Sequence, residues 1–311
     1  MTAPARAVPT AALLCGPTAS GKTALAVAAA AQVPVEVISA DSRQVYRHLS
    51  IGTAKATAAE QAAVPHHLID VLELDATYNA AQFAADALRI AAEIRARGRI
   101  PLIVGGAGFY FRVLEDGLFE PPYEPAALAA VRADLERWSP EDLRAELGRR
   151  DPDRASALHP NDRYRIARAL EICIAAGRSV TELTAGRTKP SETFVRFRVT
   201  IPRPRLHERI AARTAAMFAA GWEHEVEDLL ARGVAPEAPA LATLGYPQIV
   251  ALLRGETSRD AAEETIRRDT RRFARAQETW FRKLRDATAI AAEDPAGGAQ
   301  LAAALAHVYG A

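Results

Sequence analysis

Apolar residues occur along this chain in two spacings, and the spacing changes with position. Short apolar runs with the length and composition of β-strands lie at residues 11–15, 35–39, 67–71, 100–104 and 195–201. Between them, segments such as residues 79–97 repeat apolar positions at the helical spacing of three and four. Strands that alternate with helices are typical of a parallel sheet built from βαβ units. The pattern therefore predicts an α/β fold with a parallel-sheet core and helices on both faces.

The strand pattern is interrupted between residues 117 and 192. This stretch contains helical segments punctuated by proline, at residues 124–138, 140–149 and 162–176, before an apolar run resumes at Val195. A helical block between two core strands indicates an insertion. We therefore predict a core domain of residues 1–116 and 193–311, ending in further helices, and an inserted all-helical subdomain of residues 117–192.

The first apolar run leads directly into a loop of sequence Gly-Pro-Thr-Ala-Ser-Gly-Lys-Thr, which fits G-x-x-x-x-G-K-T and opens the next helical segment. In this context the backbone N–H groups and the helix N-terminus face phosphate oxygens, so the loop is predicted to be a phosphate-binding loop (P-loop). Lys22 would neutralise the terminal phosphate, and the Thr23 hydroxyl would bind Mg²⁺. An ordinary glycine-rich turn is the alternative. The predicted diphosphate contacts are Gly16, Pro17, Thr18, Ala19, Ser20, Gly21, Lys22 and Thr23.

Composition limits the class of protein. The 311 residues are 49% hydrophobic and 25% charged, and they include only two cysteines, Cys15 and Cys173. One lies in a predicted strand and one in a predicted helix, so they provide neither a disulfide framework nor a metal site. The sequence has no apolar stretch of bilayer-spanning length, and no signal peptide precedes the P-loop. We therefore expect a cytoplasmic monomer with no membrane partner.

The net charge of +1 conceals an uneven distribution. Residues 161–213 hold 12 basic and 5 acidic residues, residues 214–266 hold 3 and 9, and residues 267–311 hold 8 and 5. Two basic blocks in a nearly neutral protein favour patches that bind a polyanion. Arginines that only coat solvated helices are the alternative.

Asp41 lies just past the end of the second predicted strand, in the sequence Asp-Ser-Arg-Gln-Val-Tyr. Ligands of open α/β sheets bind outside the carboxyl ends of the strands, so Asp41 is placed beside the P-loop for general-base or metal chemistry. The alternative is that Asp41 caps the segment that follows it, which is common for Asp-Ser sequences.

Together these segments resemble the bacterial tRNA dimethylallyltransferases, and they follow the order of that family. They are residues 16–23, 41–46 (Asp-Ser-Arg-Gln-Val-Tyr), 51–55 (Ile-Gly-Thr-Ala-Lys), 65–70 (Pro-His-His-Leu-Ile-Asp), 105–110 (Gly-Gly-Ala-Gly-Phe-Tyr), 159–162 (His-Pro-Asn-Asp), 168–171 (Arg-Ala-Leu-Glu), 244–246 (Leu-Gly-Tyr), 270–271 (Thr-Arg) and 277–282 (Gln-Glu-Thr-Trp-Phe-Arg). The resemblance implies transfer of a dimethylallyl group from dimethylallyl diphosphate to N6 of adenosine 37 of tRNA, beside the anticodon, with Mg²⁺.

The chemistry of that reaction suits these residues. An allylic diphosphate leaves readily once its oxygens are neutralised, which Lys22, Thr23 and Mg²⁺ can do. Asp41 would then accept the proton of the poorly nucleophilic exocyclic amine. Adenine must leave the anticodon stack, and Arg43 and Gln44 are expected near its path.

The resemblance and the basic blocks also imply where tRNA binds. On a predicted helix at residues 266–285, an inner stripe leaves several arginines outside it, available to phosphates. The stripe consists of Ile266, Thr270, Phe273, Gln277, Trp280 and Leu284. Phe273 and Trp280 are expected in the core rather than as stacking platforms. The predicted tRNA-binding residues are Asp41, Ser42, Arg43, Gln44, Ala107, Tyr164, Arg165, Ile166, Ala167, Arg168, Arg271, Arg275, Gln277 and Arg282.

The chain departs from the family pattern at three positions. Ala107 stands where the family usually has Thr, Ala242 where it often has Arg, and Ala276 where it has a basic residue. Arg275 or Lys55 is expected to compensate for the arginine absent at position 242.

Two other functions fit part of the sequence. A P-loop followed by Asp41 also suits a small-molecule or nucleotide kinase, but that hypothesis leaves the Arg-rich segments unexplained. The hypothesis of a non-catalytic, nucleotide-switched RNA-binding protein explains the distribution of charge, but it gives Asp41 no function beside the P-loop.

Overall fold

A computed structural model describes residues 8–119, 122–187, 189–284 and 286–310. Within this part of the chain, a sheet of six parallel strands has the order β3-β2-β4-β1-β5-β6. The strands are β1 (Ala11–Cys15), β2 (Val35–Ala40), β3 (His66–His67), β4 (Ile100–Gly105), β5 (Phe194–Thr200) and β6 (Ala287–Ala291). Because β1, β2 and β4 are neighbours and parallel, the loops that follow them emerge at one edge of the sheet.

Helices cover both faces of this sheet, which confirms the predicted fold class. On one face, Phe83, Phe111 and Phe281 pack on the strands, and on the other face Leu25 and Leu301 do so. These helices are α1 (Lys22–Ala30), α3 (Ala80–Ala96), α4 (Gly108–Asp116), α13 (Arg259–Phe281) and α14 (Gly297–Tyr309). The other helices of the core are α2 (Ala58–Ala63), α10 (Arg203–Ala219), α11 (Trp222–Ala231) and α12 (Tyr246–Leu253).

Residues 116–191 form a separate compact unit, and residues 1–115 and 192–311 form the other. Each bound lies one residue from the predicted one. The helical unit contains α5 (Pro125–Leu135), α6 (Pro140–Arg150), α7 (Pro152–Ala157), α8 (Arg163–Ala176) and α9 (Val180–Ala185). Its own apolar core is built around Leu143, Leu147 and Leu170. Residues 1–7, 120, 121, 188, 285 and 311 of the two predicted domains lie outside the described residues.

The structure differs from the predicted strands at two places. The predicted strand at residues 67–71 ends at His67, because Leu68 and Asp70 have left-handed backbone angles (φ 60° and 55°) that an extended strand does not allow. The structure also contains β6, an edge strand of alanine and threonine with Ile290 as its buried residue, which the apolar pattern did not predict.

The inner face of α13 is also shifted from the predicted stripe. Phe273 is 49% exposed, whereas its neighbour Ala274 is buried against Leu206 and Ile210 of α10. The prediction that Phe273 belongs to the core is therefore wrong. A small side chain at position 274 allows α10 and α13 to approach closely. The buried positions of α13 are Ala262, Ile266, Ala274, Gln277 and Phe281.

The Leu-Gly-Tyr block at residues 244–246 and the block at residues 51–55 meet around the buried indole of Trp222. A Cβ atom on Gly52 would lie 2.2 Å from Trp222 Nε1, and one on Gly245 would lie 2.1 Å from its Cη2. The carboxylate of Glu225 accepts hydrogen bonds from the N–H groups of residues 50–52 and from the Tyr246 hydroxyl. These blocks are therefore held together by packing and by one carboxylate.

We expect Gly245→Ala to destabilise the protein strongly. Gly245 has φ +98°, which costs a non-glycine residue about 1–2 kcal/mol, and overpacking against Trp222 adds about 1–3 kcal/mol. Urea unfolding should therefore show a loss of roughly 2–5 kcal/mol. Gly255→Ala is the control, since Gly255 also has positive φ but has open space around it. Equal losses in the two variants would contradict the packing argument.

Candidate active site

Three loops meet at the carboxyl edge of the sheet. The P-loop follows β1, Asp41 follows β2, and the loop of residues 105–107 follows β4. The backbones of β2 and β4 approach closely there: a Cβ atom on Gly105 would lie only 2.1 Å from the Ala40 carbonyl oxygen. This edge brings together the P-loop and Asp41, as the sequence predicted.

Lys22 is folded back onto its own loop. Its Nζ donates hydrogen bonds to the carbonyl oxygens of Gly16 (3.0 Å) and Pro17 (2.7 Å). Burial lowers the pKa of the Lys22 ammonium to about 8, and the Arg213 charge acts in the same direction, whereas Asp41 and Cys15 oppose it. A desolvated cation surrounded by loop backbone is a site for an anion.

Two arginines of α10 complete the positive charge at this loop. Arg213 Nη1 donates to the Thr18 hydroxyl (3.2 Å), and Arg209 Nη1 donates to the Ser20 carbonyl oxygen (3.2 Å). Burial lowers the pKa of the Arg213 guanidinium, with Asp41 opposing the shift, yet a guanidinium stays protonated near neutral pH. The site therefore holds two guanidinium groups beside the Lys22 ammonium.

Sequence reasoning missed these two arginines. Their spacing of four residues places both on one face of α10, inside the basic block of residues 161–213, and this was the available signal. Lys55, by contrast, is tied to the Asp70 carboxylate and to the Tyr46 carbonyl oxygen, with its side chain only 4% exposed. The expectation that Arg275 or Lys55 compensates for Ala242 stays a prediction, and Lys55 could do so only by leaving Asp70.

The two oxygens of Asp41 have different surroundings. Oδ1 accepts hydrogen bonds from the N–H groups of Arg43 (2.8 Å) and Gln44 (3.4 Å), so it caps the turn after β2. Oδ2 has no hydrogen-bond partner among the described residues. The capping role and a role as a base are therefore compatible, since each uses a different oxygen. Next to it, burial and the Asp41 charge raise the pKa of Tyr110 to about 12.

Two residues after β2, Arg43 and Gln44, are predicted tRNA contacts and form hydrogen bonds within the protein. Arg43 Nη1 donates to the Pro239 carbonyl oxygen (3.1 Å). The Gln44 amide accepts from the Ser39 hydroxyl and donates to the carbonyl oxygens of Thr53 and Ala54. Ser42 is half-buried. Gln44 therefore fixes the block at residues 51–55 to the end of β2.

The loop after β4 lies against α13. Gln277 donates from Nε2 to the Gly106 carbonyl oxygen (3.0 Å) and accepts from the Thr18 N–H (2.8 Å). Its side chain is turned away from solvent and joins the P-loop to the loop after β4. The predicted tRNA contact at Gln277 stays a prediction. Half-buried Ala107 packs on the same apolar cluster as Trp280.

The predicted tRNA-binding residues of α8 divide into exposed and internal ones. Tyr164 is 79% exposed, and Arg165 is an exposed partner of Asp162. Arg168 pairs with Glu171 inside the helical unit. Ile166 is buried in the core of this unit and Ala167 packs against it, so tRNA binding at these two positions stays a prediction that the backbone would have to fulfil.

The predicted arginines of α13 lie towards solvent. Arg271 pairs with Glu264 (2.9 Å), and Arg282 contacts only Thr279. Arg275 is exposed and its guanidinium has no partner among the described residues. Of these three arginines, Arg275 can bind an anion without first breaking a contact with another side chain.

The residues present fit a magnesium ion held mainly by phosphate oxygens. No cluster of three or more His, Cys, Asp or Glu side chains that could hold a metal occurs in the described ranges. Magnesium commonly takes one or two protein oxygens, with phosphates and water completing its shell. The Thr23 hydroxyl at the start of α1 has no other partner among the residues that the structure describes, and it could supply such an oxygen.

Comparisons with known proteins identify the family of this chain. The sequence profile of a family described as IPP transferase matches residues 44–284. The chain is 45% identical to tRNA dimethylallyltransferase 1 of Syntrophotalea carbinolica, over 88% of both chains. It is also 45% identical to the tRNA dimethylallyltransferase of Methylibium petroleiphilum, over 93% of this chain and 91% of the relative.

The chain belongs to the IPP transferase family. Solved structures agree with this membership. The tRNA isopentenylpyrophosphate transferase of Bacillus halodurans superimposes with a TM-score of 0.71 at 32% identity, covering 96% of both chains. A eukaryotic dimethylallyltransferase acting on tRNA gives a TM-score of 0.75 at 25% identity, covering 91% of this chain and 74% of that one. The family resemblance predicted from the sequence is confirmed.

In the described part of this family member, no helix is both long and apolar enough to cross a membrane.

Diphosphate affinity should fall above pH 8, because the Lys22 pKa is about 8 and the neutral amine attracts no anion. Isothermal titration with inorganic diphosphate should show affinity about tenfold lower at pH 9.5 than at pH 7.5. The last ionisation of inorganic diphosphate also falls in this range, so the comparison is between two proteins. Lys22→Arg keeps its charge throughout the range, and its affinity relative to that of the wild type should rise about tenfold from pH 7.5 to pH 9.5. The same pH dependence in both proteins would exclude Lys22 as the titrating group.

Proposed function

We propose that the protein transfers a dimethylallyl group from dimethylallyl diphosphate to N6 of adenosine 37 of tRNA, giving N6-dimethylallyladenosine and diphosphate. The observation that carries this proposal is the cluster of positive charge formed by Lys22, Arg209 and Arg213 at the P-loop, with Asp41 Oδ2 beside it. Family membership supports tRNA as the acceptor and an allylic diphosphate as the donor.

The P-loop would hold the diphosphate. Residues 16–23 supply backbone N–H groups and the start of α1, and Lys22 exchanges its bonds to loop carbonyls for bonds to phosphate oxygens. Arg213 lies next to the loop and adds charge where the leaving group becomes more negative. These cations favour cleavage of the bond between the allylic carbon and the diphosphate oxygen.

Mg²⁺ is the proposed cofactor, with the Thr23 hydroxyl as its protein ligand. When bound, it would neutralise further charge on the diphosphate. The protein's part is to present the hydroxyl at the helix start, beside the loop that holds the phosphates.

Asp41 is the proposed general base. As the bond between N6 and the allylic carbon forms, the proton on N6 passes to Asp41 Oδ2, and the electron pair of the breaking carbon–oxygen bond leaves with the diphosphate. General-base assistance of this kind contributes about 10²–10⁴-fold. Adenine must be unstacked to reach Asp41, which is easier in a single-stranded loop than in a duplex.

Exposed basic and aromatic side chains would bind the anticodon stem-loop. They are Arg271 and Arg275 on α13, Arg282 directly after α13, and Tyr164 and Arg165 on α8. Phosphate contacts by arginine fix the position of the RNA, and an exposed tyrosine can stack on an unpaired base. Ser42 and Ala107 border the loops near Asp41 and are proposed to lie along the path of the flipped base.

We propose further that the protein acts in the cytoplasm as a monomer. A single chain carries the P-loop, Asp41 and the basic helix, so the reaction needs no second copy. Both cysteines are buried free thiols, which is typical of reducing compartments.

Label transfer tests this function directly. Unmodified tRNA is incubated with Mg²⁺ and dimethylallyl diphosphate that is radiolabelled in its allyl group, and label is expected in the tRNA. A tRNA with guanosine at position 37 should remain unlabelled. Transfer of label from γ-labelled ATP to any acceptor, with none from dimethylallyl diphosphate, would replace the proposal with a kinase.

Replacing Asp41 with Asn should lower kcat by about 10²-fold or more, because the amide cannot accept the proton. The amide oxygen still accepts the N–H of Arg43, so the turn and the thermal midpoint of unfolding should be retained. Affinity for tRNA should change little. Turnover within threefold of the wild type would leave Asp41 as a turn cap only.

Arg275→Ala should make the slope of log tRNA affinity against log salt concentration shallower by about 0.7–0.9, the value for one phosphate contact. Filter binding over a series of salt concentrations measures this slope. Arg254→Ala removes the same charge from α12, near Glu237 and Glu256, and should leave the slope unchanged. Equal slopes in all three proteins would remove Arg275 from the tRNA surface.

A further inference from the structure

We propose that Gln277 is a positioning residue that holds the P-loop and the loop after β4 at a fixed separation. This inference rests on the proposed function, because it concerns how the diphosphate and the acceptor adenine are aligned. Gln277 contacts neither reacting group in this assignment. It acts through the backbone of the two loops.

The contacts of its amide are specific at both ends. Gln277 Oε1 accepts the Thr18 N–H at 2.8 Å, and Nε2 donates to the Gly106 carbonyl oxygen at 3.0 Å. A Cβ atom on Gly106 would lie 2.3 Å from Nε2, so glycine at this position admits the amide. The side chain is 8% exposed. One buried amide therefore joins two loops that are some 90 residues apart in sequence.

The amide itself is rigidly placed. Ala274 and Phe281, one turn of α13 before and after Gln277, are each 1% exposed. Ala274 packs on α10, whose Arg213 binds the Thr18 hydroxyl. Thr18 is thus fixed at two points, through its N–H by Gln277 and through its hydroxyl by Arg213.

These two loops carry opposite sides of the reaction. The P-loop would hold the leaving diphosphate. The loop after β4 begins at Gly105, which pairs with Ala40, the residue before Asp41. The hydrogen bonds of Gln277 therefore fix the distance between the leaving diphosphate and Asp41, where the acceptor adenine would lie. A displacement of about 1 Å between reacting groups can cost about 10²-fold in rate, and this loss appears in kcat rather than in the binding of either substrate.

The test compares Gln277→Met with the wild type. Methionine has a similar length but neither donates nor accepts these hydrogen bonds. We expect kcat to fall by about 10- to 100-fold, while KM for dimethylallyl diphosphate and Kd for tRNA stay within threefold. Gln300→Met is the matched control, since the exposed Gln300 amide on α14 bonds only to Asp294 and lies outside the site.

Gln277→Glu provides a rescue that a purely structural role would not give. When protonated, its carboxyl has the same acceptor and donor as the amide, so it can accept from Thr18 and donate to Gly106. When ionised, it repels the Gly106 carbonyl oxygen. The ratio of its kcat to that of the wild type should therefore rise as pH is lowered. Lys22, Arg213 and Asp41 face this region in both proteins, so division by the wild-type kcat removes any pH dependence that the two proteins share.

The outcomes separate the inference from the function on which it rests. Wild-type protein that transfers no label to tRNA defeats the proposed function. An active wild type with kcat retained in Gln277→Met defeats only the inference. Loss of tRNA affinity with kcat unchanged would make Gln277 an RNA contact instead. If the methionine variant does not fold, a kcat ratio for Gln277→Glu that does not vary with pH would overturn the proposal.

Discussion

The active-site edge depends on positive charge that is kept out of water next to the backbone of the P-loop. Lys22 and Arg213 are both shielded from water, and both interact electrostatically with the same carboxylate, Asp41. A desolvated cation without a matching anion is unfavourable, so the surrounding structure must hold it in place. Carbonyl oxygens of the loop do so for Lys22, and Thr18 does so for Arg213. Binding of an anion, such as the proposed diphosphate, would relieve this imbalance of charge.

Parallel strands explain why residues so distant in sequence can share this edge. The P-loop, Asp41 and residues 105–107 follow three neighbouring strands, and the apolar runs and the G-x-x-x-x-G-K-T pattern are local properties that sequence reasoning can detect. These parts of the fold and site were predicted. The residues that tie them together, Arg209, Arg213 and Gln277, come from helices α10 and α13. Their partners are backbone groups of Thr18, Ser20 and Gly106 and the Thr18 hydroxyl, all far along the chain. Spacing can place the two arginines on one face of α10, but it does not reveal which groups they contact.

The errors on the helices and strands also have physical causes. A helical stripe can be turned by one residue without losing its periodicity, and the choice between Phe273 and Ala274 was made by close packing against α10. Likewise, the run at residues 67–71 is apolar enough for a strand, but two left-handed residues bend it after His67. In the helical unit, buried Glu171 binds Arg132 and Arg168. The block of residues 168–171 thus has a structural task beside any role in binding RNA.

The indole of Trp222 links three positions that are remote in sequence. Because Gly52 and Gly245 both lie against this one ring, the side chain allowed at either position depends on what occupies position 222. A smaller residue there would relax the restriction at both glycines at once, while leaving the Glu225 bonds without packing support. Positions 52, 222 and 245 are therefore coupled in evolution. A larger side chain at position 52 or 245 is tolerated only after a smaller one has replaced Trp222, so the order of the substitutions matters.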